Sequence, residues 1–127
     1  MYVNRDIIYT YDANLNLYDV VKKGEWTLEL MAKLMAETAQ DMDGDGQITK
    51  IGTDRFGYTG ERNNNWYHIA AQNICLSKTT PSGDYEILPV LNNDLLTAWQ
   101  AAKGVLASPY RIVSDTSQYF KNGLSTF

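Results

Sequence analysis

Hydrophobic positions along the chain change period several times, and each change marks an element. Leu28, Met31, Leu34, Met35 and Thr38 recur three and four residues apart, which predicts a helix from Thr27 to about Gln40. Thr27 is placed to cap it, because its hydroxyl can accept from a free amide of the first turn. Glu29 lies in that turn, where the helix dipole favours an anion. Trp26, just before the cap, is placed to staple onto an apolar residue of the next turn such as Met31. The methionines read as core filler. A second helix follows Asn92 or Asn93 and ends before Pro109, with Leu95, Trp99, Ala102 and Leu106 on one stripe and Ala98 and Val105 beside it.

The remaining segments are shorter. Tyr2 and Val3 suit a strand, and Asp6 a cap for a short helix over residues 7–11. The stretch DANLNLYDVVKKGE is turn-rich, with one amphipathic patch at Tyr18, Val20 and Val21. Residues 55–60 read as a strand ending in glycine, followed by the polar turn ERNNN and a two-turn helix from Trp66 to Asn73. Ile74 to Ser77 and Tyr85 to Leu88 read as a hairpin around KTTPSG. Ser114 to Phe120 predicts a last short helix, and Leu124 to Phe127 the start of a strand. The pattern as a whole is α+β or α/β: helix-rich, with a small sheet or hairpin, in one domain spanning 1–127.

Composition narrows the function classes. At 127 residues and 44% hydrophobic, the chain can bury one modest core. The net charge of −4 lacks the basic face that nucleic acid requires. No apolar run approaches a membrane span, and MYVNRDIIY does not read as a secretion signal, so an exported protein would carry this chain as a mature piece or a cut-out domain. A single cysteine, Cys75, allows no internal disulfide, and in a strand it reads as a small buried hydrophobe. One histidine, His68, argues against triads and zinc chemistry and reads as a satisfied imidazole. Nine tyrosines and three tryptophans against three phenylalanines suit half-wet surfaces, whether at the edge of the core or against a ligand.

Residues 41–49, DMDGDGQIT, carry the candidate chemistry. On a calcium-loop template, Asp41, Asp43 and Asp45 fall at the first, third and fifth positions and Gly46 at the sharp turn. Gln47 supplies a carbonyl, and Ile48 points to the core. The closing glutamate is absent. Gly52 stands there, and Asp54, two residues on, would close the loop if the chain bulges. No second helix follows, so the motif is an EF-like half site. Two carboxylates about 4 Å apart repel by roughly 4 kcal/mol at an effective dielectric near 20, so three gathered together favour either a cation or an open, hydrated loop. A calcium ion held by Asp41, Asp43, Asp45, Gln47 and Asp54 would be weakly bound, in the range of about 10⁻⁴–10⁻³ M, and structural in role.

Several segments, in order, resemble one family. MYVNRDII resembles the LYYNKDLF segment of extracellular solute-binding proteins of sugar ABC transporters. NLYDVVKKGEWTLELM is similar to their NPYDLVKDGKWTWDKM, DMDGDGQIT and DRFGYTG to their DLNGDGKYD and DQYGL, and TSQYFKNGLSTF to their F..GKAAMF. The resemblance implies a central segment of the second lobe of a type II periplasmic-binding-protein-like fold, without the first lobe and the final helices. It implies a non-catalytic role: binding a sugar or oligosaccharide for an ABC permease, in a lipid-anchored or periplasmic protein outside the cytoplasm. Lacking half its cleft, the chain would bind sugar weakly and would leave a face able to pair two copies. Sugar recognition combines aromatic stacking with amide and carboxylate hydrogen bonds. Asn63, Asn64, Asn65, Trp66 and Tyr67 make the best cluster of that kind, with Tyr58 and Glu61 close by in sequence. Trp66 reads equally as a core anchor at a helix start. Two further readings compete: a calcium-stabilised extracellular interaction module, and a hydrolase using Glu61 and a loop aspartate, for which no triad or second histidine is present.

Overall fold

The computed structural model describes residues 2–60, 65–70, 77–87, 93–113 and 117–127. Its elements run α1 (Arg5–Tyr11), α2 (Leu17–Lys22), α3 (Leu28–Thr38), β1 (Tyr58–Thr59), α4 (Asn65–Ala70), β2 (Ser77–Thr79), β3 (Tyr85–Ile87), α5 (Asn93–Leu106), β4 (Arg111–Ile112) and α6 (Ser117–Lys121). This mixture of helices and two small sheets is an α+β arrangement. Among the described residues no helix is long and apolar enough to cross a membrane.

The first helices start where asparagines cap them. Asn4, not Asp6, caps α1, its side chain accepting from the amide of Ile7; Asp6 lies inside the first turn, where its charge suits the dipole. Tyr2 and Val3 form no strand, yet the Asn4 amide donates to the Thr126 carbonyl at 2.8 Å. The stretch read as turn-rich contains α2, capped by Asn16. Thr27 caps α3 as expected, its Oγ1 accepting from Leu30 N at 3.1 Å, and Met31, Leu34, Met35 and Thr38 are all buried. The Trp26 ring meets Phe127 edge-on, 5.8 Å between centroids, beside the cluster that holds Met31. Helix α3 stops at Thr38 rather than Gln40. Ala39 turns extended, and Gln40 pairs with Arg55 through two main-chain hydrogen bonds of 2.8 and 3.0 Å.

Parallel pairing organises the centre. β1 pairs with β4 in parallel, Tyr58 opposite Arg111 and Thr59 opposite Ile112. On the other edge Phe56 bridges Ser125, also in parallel. Main-chain bonds from Phe56 N to Leu124 O, Thr126 N to Phe56 O, Phe127 N to Gly57 O and Thr59 N to Phe127 O continue that edge. The expected strand at 124–127 is thus real as a run of main-chain bonds, and segment 56–59 is the middle of three parallel segments. The amides of Gly57 and Tyr58 both donate to Tyr110 O, two residues opposite one, which is a bulge. It turns successive side chains into different clusters. Phe56 packs with Ile112 and Tyr119, whereas Tyr58 joins Ile8, Met31, Leu34, Met35, Val105 and Phe127 in the main core.

Two contacts pin the helices to this centre. A Cβ on Gly57 would overlap the main chain of Met35, so α3 lies against the strand as only glycine permits. Thr38 donates to Leu34 O at 2.7 Å, which leaves Thr126 to donate to Thr38 Oγ1, also at 2.7 Å, in a fully buried pair. Helix α5 departs from the expected stripe. It buries Ala98, Ala102 and Val105, while Trp99 stays 52% exposed. Alanines let α5 approach closely, and an indole at that seam would hold the helix off.

The hairpin exists, its second strand opening at Tyr85 as expected and its first running past the expected end at Ser77. β2 and β3 pair antiparallel from Ser77–Ile87 to Thr79–Tyr85, so Lys78 and Thr79 belong to a strand and the turn spans 80–84. Residues 71–76 and 88–92, which include the expected start of the hairpin, the end of the Trp66–Asn73 helix and Cys75, lie outside the described residues. So do residues 114–116; α6 begins at Ser117.

The tight approach at Gly57 yields a paired expectation. Gly57→Ala should cost at least about 2 kcal/mol in urea unfolding, because the clash is with main chain that cannot rotate away. Gly104→Ala, whose new methyl would meet only Ala32 Cβ at 3.8 Å, should stabilise the helix by roughly 0.5–1 kcal/mol in the same assay.

Candidate metal centre and ligand edge

The aspartate loop is tied off at its neck. The reciprocal bonds between Gln40 and Arg55 hold both ends, and Arg55 Nε also donates to Thr38 O at 2.9 Å. Within the neck the carboxylates organise the main chain. Asp41 Oδ1 accepts from Asp43 N at 3.1 Å and from Gly44 N at 2.7 Å, and its Oδ2 from Gly46 N at 2.7 Å. Gly46, at φ +86°, takes the left-handed turn the template requires. Asp43 Oδ1 accepts from Asp45 N at 3.2 Å, and Asp45 Oδ1 from Gln47 N at 2.8 Å.

Asp54 closes the loop. Thr53 N and Asp54 N both bond back to Lys50 O, at 3.2 and 3.0 Å, in a turn that Gly52 completes at φ +92°. That is the bulge the sequence required to replace the missing glutamate. The Asp54 side chain is fully buried and accepts from Met42 N at 3.2 Å, Thr49 N at 3.0 Å and Lys50 N at 2.8 Å. One carboxylate thus joins the two halves of the loop. A carboxylate oxygen from each of Asp41, Asp43 and Asp54 lies within 4.8 Å of the others. Asp45 stands outside that group, and Gln47 is exposed. Lys50 places its ammonium 2.7 Å from Asp43 Oδ2, an internal counter-ion for the cluster.

These oxygens are hard donors of the kind calcium takes, but three carboxylates fall short of six to eight ligands. An ion here would draw the remainder from main-chain carbonyls and water, and would share Asp43 with Lys50. The main-chain donors already stabilise the charged forms. Asp41 is held below the usual carboxylate value of 3.8 by the amides of Gly46 and then Gly44. Asp54 is held below it by the amide of Lys50, then those of Met42 and Thr49, against the opposing effect of burial.

A second cluster stands at the other end of the central strand. Tyr58, named from sequence as a ligand contact, is buried; its hydroxyl lies 3.2 Å from His68 Nε2, and the two rings meet edge-on at 5.4 Å. The Arg111 guanidinium sits over the Tyr58 ring, 5.8 Å from its centroid, and Arg111 Nη1 donates to Leu106 O. Burial, and then Arg111, hold the His68 pKa below 6.5. Tyr67 is 68% exposed on α4, the helix that Asn65 and Trp66 open. Glu61, Asn63 and Asn64 lie outside the described residues. Neither His68 nor Arg111 stands out in the sequence as a site residue. The parallel register that sets Arg111 opposite Tyr58 joins residues far apart in the chain, and no local pattern shows it.

Comparison with protein-family models, curated proteins and solved structures returns no match.

The lowered values of Asp41 and Asp54 set a pH dependence. The unfolded chain takes up protons on these groups before the folded one does. Their stabilising contribution is therefore complete well above 3.8 and is lost as pH falls through the lower folded values. Urea midpoints should hold steady near neutral pH and drop once pH passes below about 4. Asp54→Asn should lower the midpoint at neutral pH and flatten the acid limb; an unchanged midpoint and limb would exclude the loop-closing role.

Proposed function

We propose that this chain is the central part of the second lobe of an extracellular solute-binding protein that delivers a sugar or oligosaccharide to an ABC permease. Loop 41–54 is its calcium-braced structural corner. The observation that carries the reading is the direction of the central segments. Segments 56–59, 110–112 and 124–127 run parallel, and ligands of open α/β sheets gather beyond the carboxyl ends of such strands. Glu61, Asn63 and Asn64 come next after β1 in sequence, outside the described residues, and Asn65, Trp66 and Tyr67 open α4. Tyr58, His68 and Arg111 form the floor beneath that edge. The aspartate loop enters at the amino end of the same segment, away from the ligand, which suits bracing rather than catalysis.

In this reading the fold is the helix-rich portion of a type II periplasmic-binding-protein-like lobe. The protein works outside the cytoplasm, anchored by lipid or free in a periplasm, and binds without turnover. A second lobe facing this edge completes the cleft, so the chain alone holds sugar weakly. The collinear resemblance along the chain and the convergence of Asp41, Asp43 and Asp54 support the two halves of the proposal separately.

Calorimetric titration with oligosaccharides tests the cleft. The complete two-lobe protein should bind, this chain only weakly, and Tyr67→Ala in the complete protein should weaken binding by about tenfold, the loss of one stacking ring. Tight binding by the chain alone would overturn the half-cleft account. Melting with millimolar calcium against chelator tests the corner: calcium should raise the midpoint of the wild type and leave that of Asp41→Asn/Asp43→Asn unmoved.

A further inference from the structure

Asn122–Gly123 is the one Asn–Gly step in the sequence, and it sits where α6 hands over to the edge segment 124–127. Asn122 is exposed, and the space beside Gly123 where a side chain would stand is empty. Such a step carries its own chemistry. The Gly123 nitrogen, unshielded by any side chain, can attack Cγ of Asn122. A C–N bond forms and closes a succinimide ring, and the carboxamide nitrogen leaves as ammonia, taking the proton of the Gly123 N–H. Water then opens the ring. Addition at the side-chain carbonyl gives aspartate; addition at the main-chain carbonyl gives isoaspartate, in which the main chain runs through the former side chain.

The fold engages the groups this reaction needs. Gly123 N donates to Phe120 O at 3.1 Å and Leu124 N to Tyr119 O at 3.0 Å, the paired bonds that close a helix in a Schellman motif. Asn122 N donates to Gln118 O at 3.0 Å, and Asn122 Oδ1 accepts from Gln118 Nε2 at 2.9 Å. The attacking nitrogen is thus tied to one carbonyl, and the carboxamide to a side chain one turn back. Attack requires the last turn of α6 to open, so the rate in the folded chain scales with the fraction opened.

The isoaspartyl product bears on the centre of the molecule. It adds a carbon to the main chain between Tyr119 and Leu124, so the two closing bonds cannot both re-form. The addition falls immediately before the bonds that seat the edge: Phe56 N to Leu124 O at 3.0 Å, Thr126 N to Phe56 O at 3.2 Å and Asn4 N to Thr126 O at 2.8 Å.

We propose that Asn122–Gly123 is a site of spontaneous deamidation that the closed end of α6 keeps dormant, and that its isoaspartyl product unseats segment 124–127. The proposal is independent of the sugar reading.

The test is ageing of the 127-residue chain in mildly alkaline buffer, with and without denaturing urea. Peptide mapping then separates asparagine, aspartate and isoaspartate at position 122. In urea, deamidation should concentrate at Asn122 and give mostly isoaspartate. In the folded chain it should run at least about tenfold more slowly. Gln118→Ala, at an exposed position, should speed it in buffer and leave it unchanged in urea. The isolated isoaspartyl form should unfold at a lower urea midpoint than Asn122→Asp, which carries the new charge without the added carbon. Equal rates in buffer and urea, no product at Asn122 in urea, or a Gln118→Ala rate in buffer equal to that of the wild type would overturn the proposal. So would an isoaspartyl form that unfolds at the midpoint of Asn122→Asp, which would reduce the effect to charge.

Discussion

Segment 56–59 is held on three sides, and the remainder of the molecule takes its position from it. Both of its edges carry parallel main-chain bonds, to 110–112 and to 124–127, and α3 presses on it at Gly57, where no side chain fits. Parallel pairs cannot be joined by a tight turn, so long stretches of chain must fold before either edge closes. The start of α1 depends on the same centre, since Asn4 bonds to Thr126. So does the end of α3, through the buried hydroxyl pair of Thr38 and Thr126. The chain thus closes on itself near its two ends, around a strand in its middle.

The two polar features lie at opposite ends of that strand and differ in kind. At the amino end, charge is compensated locally: main-chain amides, Lys50 and a buried Asp54 satisfy the carboxylates almost entirely from within residues 41–54. At the carboxyl end the partners come from distant parts of the chain, with Tyr58, His68 and Arg111 brought together by β1, α4 and β4. A self-contained loop suits a mechanical task, and a composite edge suits recognition, where several elements must agree on one geometry.

Legibility in the sequence follows the same division between local and distant. Thr27 was readable as a cap because its partner is three residues away. Asp54 was readable as the acid at the closing position because the template fixes where one is needed, and in the structure its carboxylate ties the loop through the amides of Met42, Thr49 and Lys50. The hairpin was readable from its turn, though its first strand runs two residues further than expected, because Lys78 and Thr79 serve as strand or turn with little cost. Asn4 and Asp6 are both good caps, so the local pattern does not separate them, and the bond from Asn4 to Thr126 that favours the earlier start is long-range. The exposed face of Trp99 was hidden for a related reason. Periodicity gives a stripe to within one position, and whether the seam takes an indole or an alanine depends on how near the neighbouring helix comes. Pairing of β1 with β4, and with it the company of Arg111, has no local signal.

The neck between Gln40 and Arg55 makes the aspartate loop an interchangeable cassette. Because both strands of the neck are bonded to each other and Arg55 is fastened to Thr38, the ends of 41–54 stay fixed, and beyond the neck the loop meets the scaffold through Ile48, which packs against Phe56, Ile112 and Tyr119. Lengthening such a closed loop adds only a logarithmic entropy cost. Residues at the exposed tip of the loop could therefore be gained or lost while the neck keeps the scaffold on either side in register.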